Sequence, residues 1–127
     1  MKTIEKTSSL SAVGPYSLAI EANGFIILSG QIGIDKDLNL ITGGVAKEFE
    51  KIMSNTKDIL AEYKLDFDNI IQIRNFLTNL EDFPIINDLY RKYFEEPFPV
   101  RTTFQVAGIP LNASIEVEFL ASVVKRR

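Results

Sequence analysis

The chain has 127 residues, 46% hydrophobic and 24% charged, with a formal net charge of -3, which suits one soluble domain with its own core and argues against disorder. It contains neither Cys nor His, so disulfides, thiolate nucleophiles, Cys- or His-ligated zinc, zinc-deaminase chemistry and every Ser-His-Asp arrangement are excluded. Acidic residues outnumber basic ones, 17 to 14, so no basic nucleic-acid footprint is expected. A carboxylate-only metal site has no motif here, and no metal is expected.

Residues 1–13, MKTIEKTSSLSAV, contain no long apolar segment, and no run approaches the ~18 apolar residues of a membrane span. The expected location is cytoplasmic, in the cytosol or an organelle matrix, with no membrane partner. Without repeats, low-complexity stretches or a linker, residues 1–127 read as a single domain. Ser17 to Glu21 and Phe25 to Gly30 are predicted strands around Asn23-Gly24, a strong hairpin signal. Asp35 to Asn39 is turn-like, and Thr42-Gly43-Gly44 punctuates the chain before a helix. In that helix Val45, Phe49, Ile52, Met53, Thr56, Ile59, Leu60 and Tyr63 recur at spacings of three and four, with Lys47, Glu48, Glu50, Lys51, Lys57 and Asp58 expected on the solvent side.

Ile70 to Leu77, rich in β-branched residues, reads as a strand. A second helix starts near Asp82 with Pro84 in its first turn, carries Phe83, Ile86, Leu89, Tyr90, Tyr93 and Phe94, and is ended by Pro97 and Pro99. Thr102 to Ala107 and Ile115 to Val124 are the closing strands. The pattern predicts an α+β domain with two helices on one face of the sheet. The last strand places Ile115, Val117, Phe119, Ala121 and Val123 on one face and Glu116, Glu118, Leu120 and Val124 on the other. Leu120 and Val124 imply that the uncovered face is also buried, most simply against other subunits.

Arg101 follows Pro97-Phe98-Pro99-Val100, where a rigid segment can present its planar fork to a carboxylate or phosphate; a surface ion pair is the alternative. Glu116 could orient a water or take up a proton, but alternation puts Glu118 on the same face and does not say which of them enters a cavity. Tyr16, leaving the Gly14-Pro15 turn, offers a hydroxyl to a ligand or caps the core. Ser29-Gly30-Gln31 permits close backbone approach or marks a β-bulge. Lys125-Arg126-Arg127 reads as a solvated tail. If the closing strands pair antiparallel, their register decides whether Arg101 and Glu116 share a face.

Taken together, Val13-Gly14-Pro15-Tyr16-Ser17, Leu28-Ser29-Gly30-Gln31-Ile32, Phe76-Leu77-Thr78-Asn79-Leu80 with Asp82-Phe83, Asn87 with Tyr90, and Pro99-Val100-Arg101-Thr102-Thr103 through Ile109-Pro110 to Ile115-Glu116-Val117-Glu118 resemble the RidA family, also called YjgF/YER057c/UK114. The resemblance covers nearly the whole chain. It implies a chorismate-mutase-like fold with a mixed β-sheet, assembled as a homotrimer with clefts between subunits. It implies hydrolysis of reactive 2-imino acids and their enamine tautomers, such as 2-iminobutanoate and 2-iminopropanoate, to 2-keto acids and ammonia without a cofactor. The family's carboxylate-gripping arginine falls on Arg101, its water-positioning glutamate on Glu116 and its turn tyrosine on Tyr16. Its substrate-binding positions fall on Ser29, Gly30, Asn87 and Thr103. Thr103 stands where Cys is frequent, Leu18 where Gln is frequent and Val100 where Ala is frequent; Glu48-Phe49-Glu50 replaces a Gln-Thr-Arg-like run, and the Glu95 to Phe98 loop is short. The competing expectations are a non-enzymatic trimer that binds keto or amino acids as a regulator, and RNA cleavage, against which the acidic balance and absent His argue.

Overall fold

The computed structural model describes residues 1–127. Six strands, β1 (Thr3–Ile4), β2 (Ala19–Ala22), β3 (Phe25–Leu28), β4 (Ile70–Leu77), β5 (Val100–Gln105) and β6 (Ile115–Ser122), and two helices, α1 (Val45–Ala61) and α2 (Phe83–Tyr90), account for its regular structure together with three short 3-10 turns. The sheet is mixed, in the order β1-β2-β3-β6-β4-β5. Only β4 and β5 run parallel, joined through α2; every other pair is antiparallel.

The hairpin forms where expected. Asn23 and Gly24 adopt φ of 52° and 80°, the two left-handed positions that a two-residue hairpin turn demands. In α1, Phe49, Ile52, Met53, Thr56, Ile59 and Leu60 are all buried on one stripe. Glu48, expected on the solvent side, is only 3% exposed. Its Oε1 accepts the Ser114 N–H at 2.8 Å and so fixes the start of β6. The reason is crowding: a Cβ on Gly33 would lie 2.7 Å from the Glu48 backbone, so the loop after β3 rests directly on α1 and covers that turn. No larger residue fits at position 33.

The second helix ends at Tyr90, short of the prolines, and the chain continues in turns. The turns still direct Phe94 inward, because its N–H bonds the Tyr90 carbonyl at 3.1 Å. Tyr93 meets Phe49 and Phe67 edge-on, with centroids 5.8 and 5.7 Å apart. β5 begins two residues earlier than expected and ends two earlier, and the edge strand β1 carried no sequence signal. The closing strands do not pair: β4 lies between them, bonded to β5 on one side and β6 on the other.

Ile115, Val117, Phe119 and Ala121 are buried under the helices, with Glu116, Glu118, Leu120 and Ser122 on the open face. β6 stops at Ser122, so Val123 and Val124, expected within it, are exposed. The open face is nonetheless apolar. Ile27 registers with Leu120, Phe76 stacks on Phe104 at 5.6 Å, and Phe25, Ile27, Val100 and Phe104 are 41–65% exposed. Arg74 covers both phenyl rings and meets Glu118 at 3.6 Å.

The basic tail is not solvated throughout. The Arg126 side chain is 5% exposed. It donates to the carbonyls of Pro97, Phe67 and Ile70 at 2.7, 2.8 and 2.6 Å and lies over the Phe94 ring. It ties the C-terminus to the loop that precedes β5. Arg126→Ala takes the charge-assisted donor from two part-buried carbonyls, Phe67 and Ile70, so it should cost about 2 to 4 kcal/mol in chemical denaturation, whereas Arg127→Ala, losing exposed ion pairs alone, should leave the melting temperature near that of the wild type.

Candidate functional site

The residues singled out from the sequence gather in two clusters rather than one. The first lies where α2 meets the start of β5. Arg101 registers with Ile73 and Thr103 with Asn75, so both side chains project toward the helical side at the sheet's edge. The Arg101 guanidinium sits 4.8 Å from the Tyr90 ring centroid and 5.6 Å from that of Phe83, and it donates to Asn87 Oδ1. It makes no ion pair within the chain, although every other arginine does. A charge held by two aromatic faces and an amide oxygen, with no carboxylate partner, is suited to an incoming anion. Ile73, Asn87, Tyr90, Phe94, Phe98 and Arg101 border a cavity of about 320 Å³ here.

The second cluster lies beyond the end of β3. Tyr16, Ser29, Gly30 and Glu116 line one cavity of about 500 Å³, whose remaining wall is largely apolar, with Leu10, Leu18 and Leu111 among its residues. Tyr16 does not cap the core: it is 46% exposed, with the Val13 N–H directed at its hydroxyl at 3.4 Å. Ser29 hydroxyl and N–H both donate to the Leu18 carbonyl, at 3.3 and 2.9 Å.

Of the two expectations for Ser29-Gly30-Gln31, the structure shows the bulge. Ile27 faces Leu120 but Gln31 faces Val117, so the β3 side carries one extra residue, a bulge. The bulge leaves Gly30 N–H and C=O without partners in the chain. It also brings Gly30 against the Glu116 carboxylate. A Cβ at position 30 would lie 3.0 Å from the carboxyl carbon and closer still to Oε2. A side chain there would displace the carboxylate.

Burial pushes the Glu116 carboxyl above its ordinary range, and the neighbouring Glu118 charge adds to the effect. Glu118 itself is engaged by Arg74, so the cavity receives Glu116 alone of the two.

The two clusters stand apart within one chain. Glu116 registers with Phe76 across β4, and Arg101 with Ile73 across the other edge. Three residues separate Ile73 from Phe76, an odd step, so Arg101 and Glu116 occupy opposite faces. Two strand spacings and three residues of rise put their backbones roughly 14 Å apart. The structure therefore joins Tyr16, Ser29, Gly30 and Glu116, and separately Arg101, Asn87 and Thr103.

Sequence reasoning missed the buried Asn75 beneath this arginine cluster. Its signal was available: Ile73, Asn75 and Leu77 alternate on the inward face of β4, and an amide among aliphatic side chains at that period is out of place.

The chain and its fold are similar to known proteins. A bovine protein named 2-iminobutanoate/2-iminopropanoate deaminase is 36% identical over 121 residues, covering 94% of this chain and 88% of the relative. A solved structure of the Rid family protein YyfA from Yersinia pestis superposes with a TM-score of 0.91 at 35% identity, over 96% of this chain and 98% of that one. E. coli TdcF, solved with bound serine, gives 0.87 at 30% identity, over 96% and 98%. The family model described as Endoribonuclease L-PSP matches residues 6–123, and the chain belongs to that family, the RidA (YjgF) family its motifs resemble.

Proposed function

We propose that the protein hydrolyses reactive 2-imino acids to 2-keto acids and ammonia, in clefts formed between subunits of a homotrimer. The carrying observation is the split site. One face holds an arginine without a counter-ion, and the other holds a half-buried carboxylate beside an unpaired backbone group. Neither half suffices for the reaction, and their placement on opposite faces calls for a second copy to complete each site. The apolar open face supplies the surface for such an assembly. The bovine relative's name and the serine bound by TdcF support a ligand bearing a carboxylate beside a nitrogen-substituted carbon.

The chemistry follows from the residues. Arg101 holds the substrate carboxylate by two parallel N–H bonds and so fixes the adjacent imine carbon. Glu116 takes a proton from water as its oxygen adds to that carbon. It passes that proton to the imine nitrogen, giving a carbinolamine, then takes the carbinolamine's hydroxyl proton as the carbonyl forms and delivers it to the nitrogen, which leaves as ammonia. Gly30 N–H and the Tyr16 hydroxyl stabilise the charge that shifts during addition. Asn87 keeps Arg101 oriented, and Ser29 braces the bulge that presents Gly30. No redox or electron-sink group is required, because an imine beside a carboxyl group is already electrophilic. A net charge of -3 and the lack of His weigh against RNA cleavage.

Light scattering at micromolar concentration should return three times the chain mass; a monomer would overturn the composite cleft. Arg101→Ala should slow imine loss roughly thirtyfold to a few thousandfold, the equivalent of about 2 to 5 kcal/mol, without loss of folding, since no ion pair is broken. Arg101→Lys should not rescue it, because the fork is lost. Semicarbazide trapping of enzymatically generated 2-iminobutanoate measures both. Tight 2-ketobutanoate binding without any acceleration of imine loss would instead mark a regulator.

The Glu116 shift also sets the pH behaviour. Turnover that needs the carboxylate should rise with pH through a value above the ordinary glutamate range. Over the window between the ordinary and the raised pKa the folded chain holds a proton that the unfolded chain has lost, so this residue's contribution to stability falls as pH rises. Glu116→Gln should therefore lower turnover about a hundredfold or more while making stability at neutral pH equal or higher. Glu118→Gln should keep near-normal turnover with its acid limb moved to lower pH. A dead Glu118→Gln beside an active Glu116→Gln would reverse the assignment.

A further inference from the structure

Asn75 is 1% exposed in the middle of β4, among Ile73, Leu77 and Val117 on the sheet's inner face. An amide buried there is costly unless both ends are bonded. Both are. Its Oδ1 accepts the Tyr90 hydroxyl proton, and its Nδ2 donates to Thr103 Oγ1 at 3.4 Å. The direction of each bond is forced. The Tyr90 hydroxyl is buried and has no other acceptor in the chain, so it must face the amide oxygen, and the amide nitrogen must then face Thr103. With its oxygen accepting from Asn75, Thr103 keeps its own O–H free for another acceptor, and Arg101 lies two residues along the same face.

We propose that Asn75 is a positioning residue of the anion site. It locks the Tyr90 ring as the platform beneath the Arg101 guanidinium and orders the Thr103 hydroxyl as a donor to the same ligand. The inner face of β4 would be satisfied more simply by an aliphatic residue opposite a phenylalanine, with no polar group buried at all. The amide instead links the platform, through one rigid side chain, to a hydroxyl on β5. Tyr90 is otherwise held through its ring, edge-on to Phe49 at 4.8 Å, tilted against Phe94 at 5.9 Å and under the Arg101 guanidinium, contacts that do not fix where its oxygen points.

This inference rests on the proposed carboxylate site, and the test separates the two. Titration calorimetry with 2-ketobutanoate is run on the wild type and on Arg101→Ala, Asn75→Leu, Tyr90→Phe and the Asn75→Leu/Tyr90→Phe double variant, each with its melting temperature. Loss of binding in Arg101→Ala supports the site itself; retained binding there would overturn the carboxylate reading and this inference with it. Asn75→Leu should weaken affinity about tenfold, the worth of one hydrogen bond to a charge-binding network. In turnover it should raise KM with little change in kcat, because the substrate carboxylate is gripped alike in ground and transition states. Tyr90→Phe, which keeps the ring, should weaken affinity less, and the double variant should fall no further than Asn75→Leu. A change in melting temperature with affinity unchanged would assign Asn75 to packing and overturn the inference. If Asn75→Leu does not fold, Tyr90→Phe decides: unaltered affinity in that variant refutes the lock.

Discussion

Two strands bonded to opposite edges of β4 determine where the Arg101 and Glu116 side chains point. β5 runs parallel to β4 because α2 carries the chain back across the sheet, and β6 runs antiparallel. Once Ile73 is opposite Arg101 and Phe76 opposite Glu116, the pleat leaves no choice: an odd offset sends the two groups to different faces. A register slip of one residue on either edge would bring them to the same side. On the β6 edge it would also turn Ile115, Val117 and Phe119 out of the core, so the hydrophobic pattern fixes the face that Glu116 takes; β5, exposed along nearly its whole length, is held in register by its ladder to β4. The fold's stability and the division of its site have one cause.

The same constraint explains why the open face stays apolar. β6 needs aliphatic side chains inward under the helices, and its outward positions are free to vary. They carry Glu116 at one end and Leu120 toward the other. The carboxylate end lies over the cavity with Tyr16 and Gly30, and the leucine end continues into Ile27 and the exposed Phe25. One strand thus presents a carboxylate and an apolar surface side by side, the two features that the proposed site between copies uses.

Much of this was legible in the sequence. The hairpin, α1 and β4 follow from Asn23-Gly24, from the Val45 to Leu60 periodicity and from the β-branched run at residues 70–77. The candidate residues were named by motif resemblance without any grouping, and the structure divides them into two clusters that lie apart. What escaped was long-range. Glu48 looked like a solvent residue because helical periodicity knows nothing of the loop that Gly33 lets down onto it. The tail looked free because charge runs usually are, yet Arg126 finds three carbonyls contributed by distant segments. Strand order was out of reach, since adjacency in sequence suggested that β5 and β6 pair.

Arg126 and Arg101 make a useful contrast. Each lies against aromatic rings near the same loop, so composition and local sequence do not tell them apart. Their bonding does. Arg126 is saturated by carbonyls and Asp68, and no ligand can compete for it. Arg101 touches two ring faces and one amide oxygen, which orient it while leaving most of its five donors available. An acidic side chain placed within about 4 Å would attract it by about 4 kcal/mol at an effective dielectric of 20, and a substrate carboxylate would have to displace that partner before binding. Holding Glu116 on the far side of the sheet prevents this within the chain. The separation that divides the candidate site also keeps each charged group free, so that in the proposed cleft between two copies a small carboxylic acid would meet an arginine and a carboxylate that have not already neutralised each other.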